Sequence, residues 1–159
     1  MTKTTKTEAV LWSIALPGFG QILNGHLVKG LVFIFLEILI NVKSNFNLGI
    51  IESFQGNIEG AGQVLNLQWL LFYPCIYMFA VYDAYKFGQG PSRKLIFIPF
   101  AFGAYFVTLG LIFASKAVFF GVQPGPVFFP MLMLLPGFAL GFFILKITEW
   151  WMNRKKATS

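Results

Sequence analysis

Charged and reactive side chains are scarce in this chain of 159 residues. Only 11% of the residues are Asp, Glu, Lys or Arg, against about 25% in an average soluble domain. The single cysteine excludes an intramolecular disulfide and a cysteine-based metal cluster. One histidine and six acidic residues form no pattern typical of a metal site, and no phosphate-binding or dinucleotide fingerprint occurs. We therefore expect a protein that is not an enzyme and has no catalytic residue, cofactor or metal.

Apolar residues are abundant instead. They make up 57% of the chain, which contains twenty phenylalanines. A chain this short has too large a surface fraction to bury them all in an aqueous core, so we expect lipid to solvate much of it. The net charge of +6 comes from basic residues at the ends of apolar runs. That placement is typical of membrane topology rather than of a nucleic-acid-binding face, and no nucleic acid is expected as a partner.

The first apolar tract, 9–40, contains residues that interrupt helices. It is too long for one membrane crossing of about 20 residues and too short for two. Proline removes a backbone donor, glycine weakens a helix and Asn-Gly is a turn signal. The tract therefore predicts a short helix at 9–23 and a second at 27–41, as one broken or re-entrant unit. Whether that unit makes one crossing or a hairpin stays open. The residues of the break are Pro17, Gly18, Gly20, Gln21, Asn24 and Gly25.

The remaining sequence predicts an all-α membrane protein, a small helical bundle with about four net crossings. Further apolar segments of sufficient length lie at about 65–85, 95–117 and 127–147. The predicted divisions are a polar N-terminal tail at 1–8, a domain at 9–88 with a polar loop at 42–64, a C-terminal hairpin of two spans at 89–151, and a basic tail at 152–159.

The basic residues predict how the bundle is oriented. In a four-crossing arrangement most of them fall on one side, which the positive-inside rule assigns to the cytoplasm. We therefore predict a multi-pass protein of the cell membrane with both termini in the cytoplasm. The predicted cytoplasmic set is Lys3, Lys6, Lys86, Arg93, Lys94, Arg154, Lys155 and Lys156, whereas the other side holds Lys43 and Lys116.

A motif in two parts resembles a known membrane family. Pro17-Gly18-Phe19-Gly20-Gln21 is followed by Asn24-Gly25 and Lys29-Gly30, and later by Tyr82-Asp83-Ala84-Tyr85. In this order the residues resemble the two-transmembrane-helix (TM-two) domain family and its bacterial Pro-Gly-x-Gly-Gln relatives, over about 9–88. The chain departs from the eukaryotic form of the motif, which has aromatic and basic residues at 21–23. The resemblance implies a membrane location and a non-enzymatic role, and it supplies no catalytic residue.

Two carboxylates are candidate functional positions. Glu37 lies within an apolar run, where an acidic residue costs about 2.5–3.5 kcal/mol on insertion scales unless it is paired or hydrated. It could bind an ion, a proton or a cationic ligand, or it could be hydrogen-bonded to Gln21, Gln68 or a tyrosine hydroxyl. It could also lie close enough to the helix end at 41–43 to reach the membrane interface, and whether it is ionised stays open. Asp83 is expected to be structural, as a helix-end acceptor that caps the break at 17–25, with Lys86 on its own face.

Small residues predict close helix packing in the last two segments. Gly110 and Ala114 form one small-x-x-x-small pair, and Gly137 and Gly141 form another. Such pairs let helices approach closely in lipid, either within one chain or between copies of the chain. The tetrapeptide Leu16-Pro17-Gly18-Phe19 also recurs at 135–138, which would be compatible with an inverted repeat of broken helices.

Two functions are compatible with these features, and a third, a membrane enzyme that acts on lipid substrates, is disfavoured by the scarcity of polar residues. The first is an integral membrane protein without catalytic activity that acts as an accessory, assembly or regulatory partner. Its partners would be the lipid bilayer and either another membrane protein or a second copy of the chain. The alternative is a small transporter or channel that uses the break at 17–25 and Glu37.

Overall fold

The computed structural model describes residues 4–119 and 121–157, and every regular element in these ranges is a helix. The predicted all-helical bundle is thereby confirmed. The described helices are α1 (Lys6–Ala15), α2 (Phe19–Leu23), α3 (Leu27–Ser44), α4 (Phe46–Phe54), α5 (Ile58–Val64), α6 (Leu67–Leu70), α7 (Tyr73–Phe87), α8 (Phe97–Phe113) and α9 (Gly125–Ala157).

The N-terminal tract is broken twice rather than once. The predicted helix at 9–23 is divided by Leu16–Gly18 into α1 and α2, and a second break precedes α3. Gly18 has a φ of 111° and Gly25 a φ of 84°, which are backbone conformations that side chains with a Cβ rarely adopt. Pro17 has no N–H to continue α1. Proline and glycine together therefore place both ends of the short α2.

Helix α1 runs antiparallel to α7. Near its start, the Lys6 ammonium donates to the carbonyl oxygen of Tyr85 (3.1 Å). Near its end, the Tyr77 hydroxyl donates to the carbonyl oxygen of Ile14 (2.6 Å). Ile14 would otherwise receive its helical hydrogen bond from Gly18, which lies beyond the break. The tyrosine thus satisfies a carbonyl that the break leaves open.

Helix α2 then returns the chain to the level at which α1 begins. The Thr4 hydroxyl donates to the Leu23 carbonyl oxygen (3.2 Å), and the Asn24 amide donates to the carbonyl oxygen of Ala84 (2.9 Å), one residue before Tyr85. Residues 4–24 therefore form a helical hairpin, here called the α1–α2 hairpin. Its two ends lie together at the C-terminal end of α7, and its tip at Pro17 lies partway along that helix.

The stretch 42–64 differs from the predicted polar loop, because most of it is helical. Asn45, at a left-handed φ of 57°, ends α3 and precedes α4. The Asn57 side chain then caps α5 by accepting from the Gly60 N–H (3.0 Å). Asparagine tolerates both roles, since its short side chain bonds to nearby backbone. Asn45 and Asn57 are thus helix boundaries within this stretch.

Helices α8 and α9 form a hairpin in which α9 is continuous. Neither Pro130 nor Pro136 ends this helix, which also runs through the predicted basic tail as far as Ala157. The second Leu-Pro-Gly-Phe, at 135–138, consequently lies inside a helix and does not reproduce the break at 16–19.

The small residues of α8 and α9 lie where these two helices meet. A Cβ on Gly110 would lie 2.6 Å from the Pro130 Cα, and one on Gly141 would lie 2.5 Å from the Pro99 Cα. A Cβ on Gly137 would lie 2.9 Å from the carbonyl oxygen of Phe102, and Ala114 is 2% exposed. These positions pack the two helices of one chain against each other.

Within the described ranges, one helix is both long and apolar enough to cross a bilayer, namely Gly125–Lys155. Residues 58–64 and 67–87 meet these criteria only when they are taken together, and they are bent by 84° at their junction. Helix α8 is apolar but has 17 residues.

Gly110→Val should destabilise the chain, because the new side chain would collide with the backbone of α9. We expect a loss of about 1–3 kcal/mol in the free energy of unfolding, as for other overpacked cores, measured by thermal unfolding of the purified chain. Gly62→Ala is the control, since no atom lies within 4 Å of its Cβ position and alanine favours helix. Equal unfolding midpoints for the two variants would contradict the packing described for α8 and α9.

Candidate functional site

Asp83 is the centre of a buried polar cluster that joins α2, α3 and α7. Its side chain is 6% exposed and lies 3.0 Å, Oδ1 to Nζ, from the Lys29 ammonium. Its other oxygen accepts from the Gln21 amide (3.3 Å), which also donates to the Ala80 carbonyl oxygen (2.6 Å). Asn24, one turn after Gln21, donates to Ala84 on the same helix. We call these residues the Asp83 cluster.

Gly20 allows α2 to lie directly on its neighbours. A Cβ at this position would overlap the Ala9 carbonyl oxygen and the Ser13 hydroxyl, and would lie 2.8 Å from the Ala84 Cβ. Ala84 itself is 0% exposed. The absence of a side chain at Gly20 and the small side chain at 84 therefore bring the amides of the Asp83 cluster within hydrogen-bonding distance of α7.

Gly18 and Gly30 provide a second close approach, between the hairpin tip and α3. A Cβ on Gly18 would overlap the Gly30 carbonyl oxygen, and one on Gly30 would lie 2.7 Å from the Gly18 carbonyl oxygen. Gly25 differs, because no atom lies within 4 Å of its Cβ position. Its glycine is required by the positive φ alone.

Lys29 is a partner of Asp83 that the sequence did not predict. Lys86, which was placed on the same helix face as Asp83, has its ammonium over the rings of Tyr82 and Phe87, at 5.6 and 5.7 Å from their centroids. Asp83 also bonds to side chains rather than to the backbone donors of the break. The signal for Lys29 was present in the Lys29-Gly30 part of the motif. Lys29 reaches Asp83 because of the turn at 24–26, and the sequence does not predict the geometry of that turn.

Glu37 lies in a separate polar contact, nearer the other end of α3. It is 8% exposed, and its Oε1 accepts from the Tyr73 hydroxyl (2.7 Å). Of the partners considered from the sequence, the tyrosine is therefore the one present. The Tyr73 ring stacks on that of Tyr77, with centroids 5.6 Å apart. The two tyrosines, four residues apart on α7, thus contact α3 and α1 respectively.

Several buried oxygens of the described side chains have no hydrogen-bond partner within the protein. They include Gln21 Oε1, Asn24 Oδ1 and Ser13 Oγ, all on the α1–α2 hairpin. In both amides the nitrogen is used to contact α7 while the oxygen is not. Unpaired buried acceptors are uncommon in folded proteins. These oxygens are therefore available to accept a hydrogen bond from a bound group or to bind a cation.

Each of the two buried carboxylates is held by hydrogen bonds to side chains of neighbouring helices. Asp83 and Glu37 occupy different clusters, so they do not form a carboxylate pair. Among the described residues, no group of three or more His, Cys, Asp or Glu side chains could hold a metal ion. No protein-family model, curated protein or solved structure matches this chain.

Lys29→Met should destabilise the chain more than the loss of a partly exposed lysine normally does. Lys29 is 40% exposed but Asp83 is 6% exposed, so the substitution leaves a buried carboxylate without its cation. We expect a loss of about 2–3 kcal/mol in the free energy of unfolding, below the cost for a fully buried pair because the lysine is partly solvated.

Adding Asp83→Asn to Lys29→Met should restore part of the lost stability, since it removes the uncompensated charge. Lys86→Met is the matched control and should cost less than about 1 kcal/mol, the value of an exposed cation–π contact. A Lys86 variant as unstable as the Lys29 variant would contradict the assignment of the ion pair. Thermal unfolding of the four chains provides the comparison.

Proposed function

We propose that this chain is a multi-pass protein of the cell membrane that acts without catalysis, as an accessory, assembly or regulatory partner. The crossings would be α3, α6 with α7, α8, and α9, while the α1–α2 hairpin would enter and leave on one side. This re-entrant arrangement makes one net crossing of residues 9–41. The TM-two resemblance over 9–88 agrees with the proposed location.

Exposed apolar side chains support the membrane location. On α3 an apolar stripe faces away from the bundle, and its members are between 51% and 66% exposed. Soluble monomers rarely expose contiguous apolar surfaces of this kind, whereas lipid solvates them. The stripe consists of Leu31, Val32, Phe35, Ile38 and Val42.

The lengths of the helices are compatible with a bilayer. At 1.5 Å per residue, the 18 residues of α3 extend about 27 Å, close to a hydrocarbon core of about 30 Å. The 17 residues of α8 are slightly shorter, and the 33 residues of α9 continue beyond the core. The hairpin at 4–24 could sit at membrane depth because Tyr77 and Thr4 donate hydrogen bonds to the Ile14 and Leu23 carbonyl oxygens beside its breaks.

The contacts at one end of the bundle support the proposed orientation. The Gln89 N–H donates to the Thr4 carbonyl oxygen (2.9 Å), so Thr4 lies beside the basic turn at 88–94. Gly141 contacts Pro99, near the start of α8, and α9 then continues toward its basic C-terminal end. Both ends of the chain would face the cytoplasm under the positive-inside rule.

The Asp83 cluster is the observation that carries the accessory role. Its charged and amide groups join α2, α3 and α7 instead of lining an open path, and the Glu37 carboxylate is likewise bonded to Tyr73. The remaining surface of the described helices is largely apolar and suits contact with lipid or with other membrane helices. Such a chain would act through contacts between its surface and lipid or other membrane helices, and not through a catalytic centre.

A small transporter or channel is the second candidate. The unpaired buried oxygens of Ser13, Gln21 and Asn24 favour it, because they lie beside a helix break and broken-helix transporters bind cations through oxygens at such breaks. Glu37 would then exchange its contact with Tyr73 for a proton or a cation.

The hairpin topology predicts where introduced cysteines react. In a Cys75→Ser background, Thr7→Cys and Leu27→Cys should both be protected from an impermeant maleimide in intact cells and become reactive in inverted membrane vesicles. Gly62→Cys, beyond the far end of α3, should show the opposite pattern and serves as the control. Thr7→Cys and Leu27→Cys that react from opposite sides would exclude the re-entrant hairpin.

Native purification tests the accessory role. The full chain, extracted from its own membranes in mild detergent, should retain a membrane-protein partner or a second copy in fixed ratio. Reconstituted in liposomes, it should produce no proton or potassium flux in assays with pH- and potential-sensitive dyes. Glu37→Gln should leave complex formation intact. Flux that is lost in Glu37→Gln but kept in the exposed Glu59→Gln control would instead establish the transporter.

A further inference from the structure

A groove of about 630 Å³ lies between α7 and α8. Its volume falls in the range of small-molecule sites, roughly 300–1,000 Å³. Met78, Phe79 and Tyr82 of α7 line one side, and Phe97, Phe100 and Tyr105 of α8 line the other. Ala104, which is 8% exposed, is also part of the lining, so the small residue deepens the groove. The lining is almost entirely apolar and aromatic.

The groove extends along α8 from Phe97 to Thr108, which corresponds to about 16 Å at 1.5 Å per residue. The hydrocarbon core of a bilayer is about 30 Å thick, so the groove covers one leaflet and not both. An extended acyl chain of a single leaflet matches this length. A transmembrane helix of a partner protein would need a surface that continues across the bilayer.

Positive charge is concentrated at one end of the groove. The Lys86 ammonium lies 5.6 Å from the centroid of the Tyr82 ring, which lines that end. Arg93 and Lys94 are exposed and stand in the turn just before Phe97, the first groove residue of α8. Asp83, the acidic residue of this end of α7, is buried and paired with Lys29. The three basic groups are thus available to an anion at the surface.

We propose that this groove binds one anionic phospholipid of the cytoplasmic leaflet. An acyl chain lies between α7 and α8, and the phosphate contacts Lys86, Arg93 and Lys94. The proposal rests on the membrane location proposed above. It assigns the basic turn a binding role in addition to its effect on topology, since anionic lipids attract basic groups beside a membrane helix. The lipid would connect the N-terminal half of the chain, through α7, to the α8–α9 hairpin.

The experiment measures lipid retention by the delipidated full chain in neutral detergent. Native mass spectrometry counts adducts after addition of phosphatidylglycerol or of phosphatidylcholine with the same acyl chains. We expect one phosphatidylglycerol per chain and a clear preference over phosphatidylcholine. Lys86→Gln with Lys94→Gln should weaken phosphatidylglycerol binding roughly ten- to thirty-fold, from the energy of two basic groups at an anionic lipid. Lys43→Gln with Lys116→Gln removes the same charge elsewhere and should have no such effect.

A second variant tests the groove without changing charge. Ala101 lines the groove and is exposed, so Ala101→Trp should fill it and abolish the adduct while the helix remains folded. Leu31→Trp, on the exposed face of α3, is the matched control and should retain it. Equal binding of both lipids, or an Ala101→Trp chain that binds as wild type does, would overturn the proposal. A co-purifying protein that Ala101→Trp releases, with no lipid preference, would also overturn it.

Failure of this proposal can be separated from failure of the membrane assignment. A chain that alkaline carbonate extracts from membranes would overturn both. A chain that resists extraction but shows no preference for phosphatidylglycerol would overturn the lipid site alone.

Discussion

The ion pair between Lys29 and Asp83 is the interaction on which the N-terminal half depends. Its buried carboxylate contacts residues from two other helices, one supplying an ammonium and one an amide. Charge of this kind is stable away from water only when its hydrogen bonds are complete. The cluster therefore fixes the relative position of α2, α3 and α7 together, and loss of one partner affects all three. Among the described residues, the exposed apolar surfaces contain no ion pair of this kind.

Side chains join the broken N-terminal tract to α7. Tyr77 satisfies a carbonyl at the end of α1, while Gln21 and Asn24 donate to carbonyls of α7. The two amide contacts require close approach of α2 to α7, which Gly20 permits. The residues of the Pro-Gly-x-Gly-Gln motif thus act together. The proline and the first glycine turn the chain, the second glycine lets α7 pack closely against α2, and the glutamine donates hydrogen bonds to α7.

The sequence predicted the class of fold and the location of the first break, because composition and helix-breaking residues are local signals. It failed where tertiary context decides. Leu16-Pro17-Gly18-Phe19 breaks a helix, whereas the same four residues at 135–138 lie within α9, packed against Phe102 and Phe106 of α8. The stretch 42–64 is largely helical, with Asn57 as a cap and the Asn45 side chain bonded to the Val64 carbonyl oxygen. Asp83 was expected to be structural, but its partner Lys29 depends on a turn whose geometry the sequence did not reveal.

The α1–α2 hairpin also constrains the order in which the protein can be assembled during synthesis. Its hydrogen bonds to α7 join residues 59 to 79 positions apart in the chain, so they cannot form until the ribosome has made residues 77–85. Until then the first helices lack the partners for their amides and open carbonyls. Domains fold from the N-terminus as they emerge, yet here residues 4–24 can reach their final position only after α7 has been made.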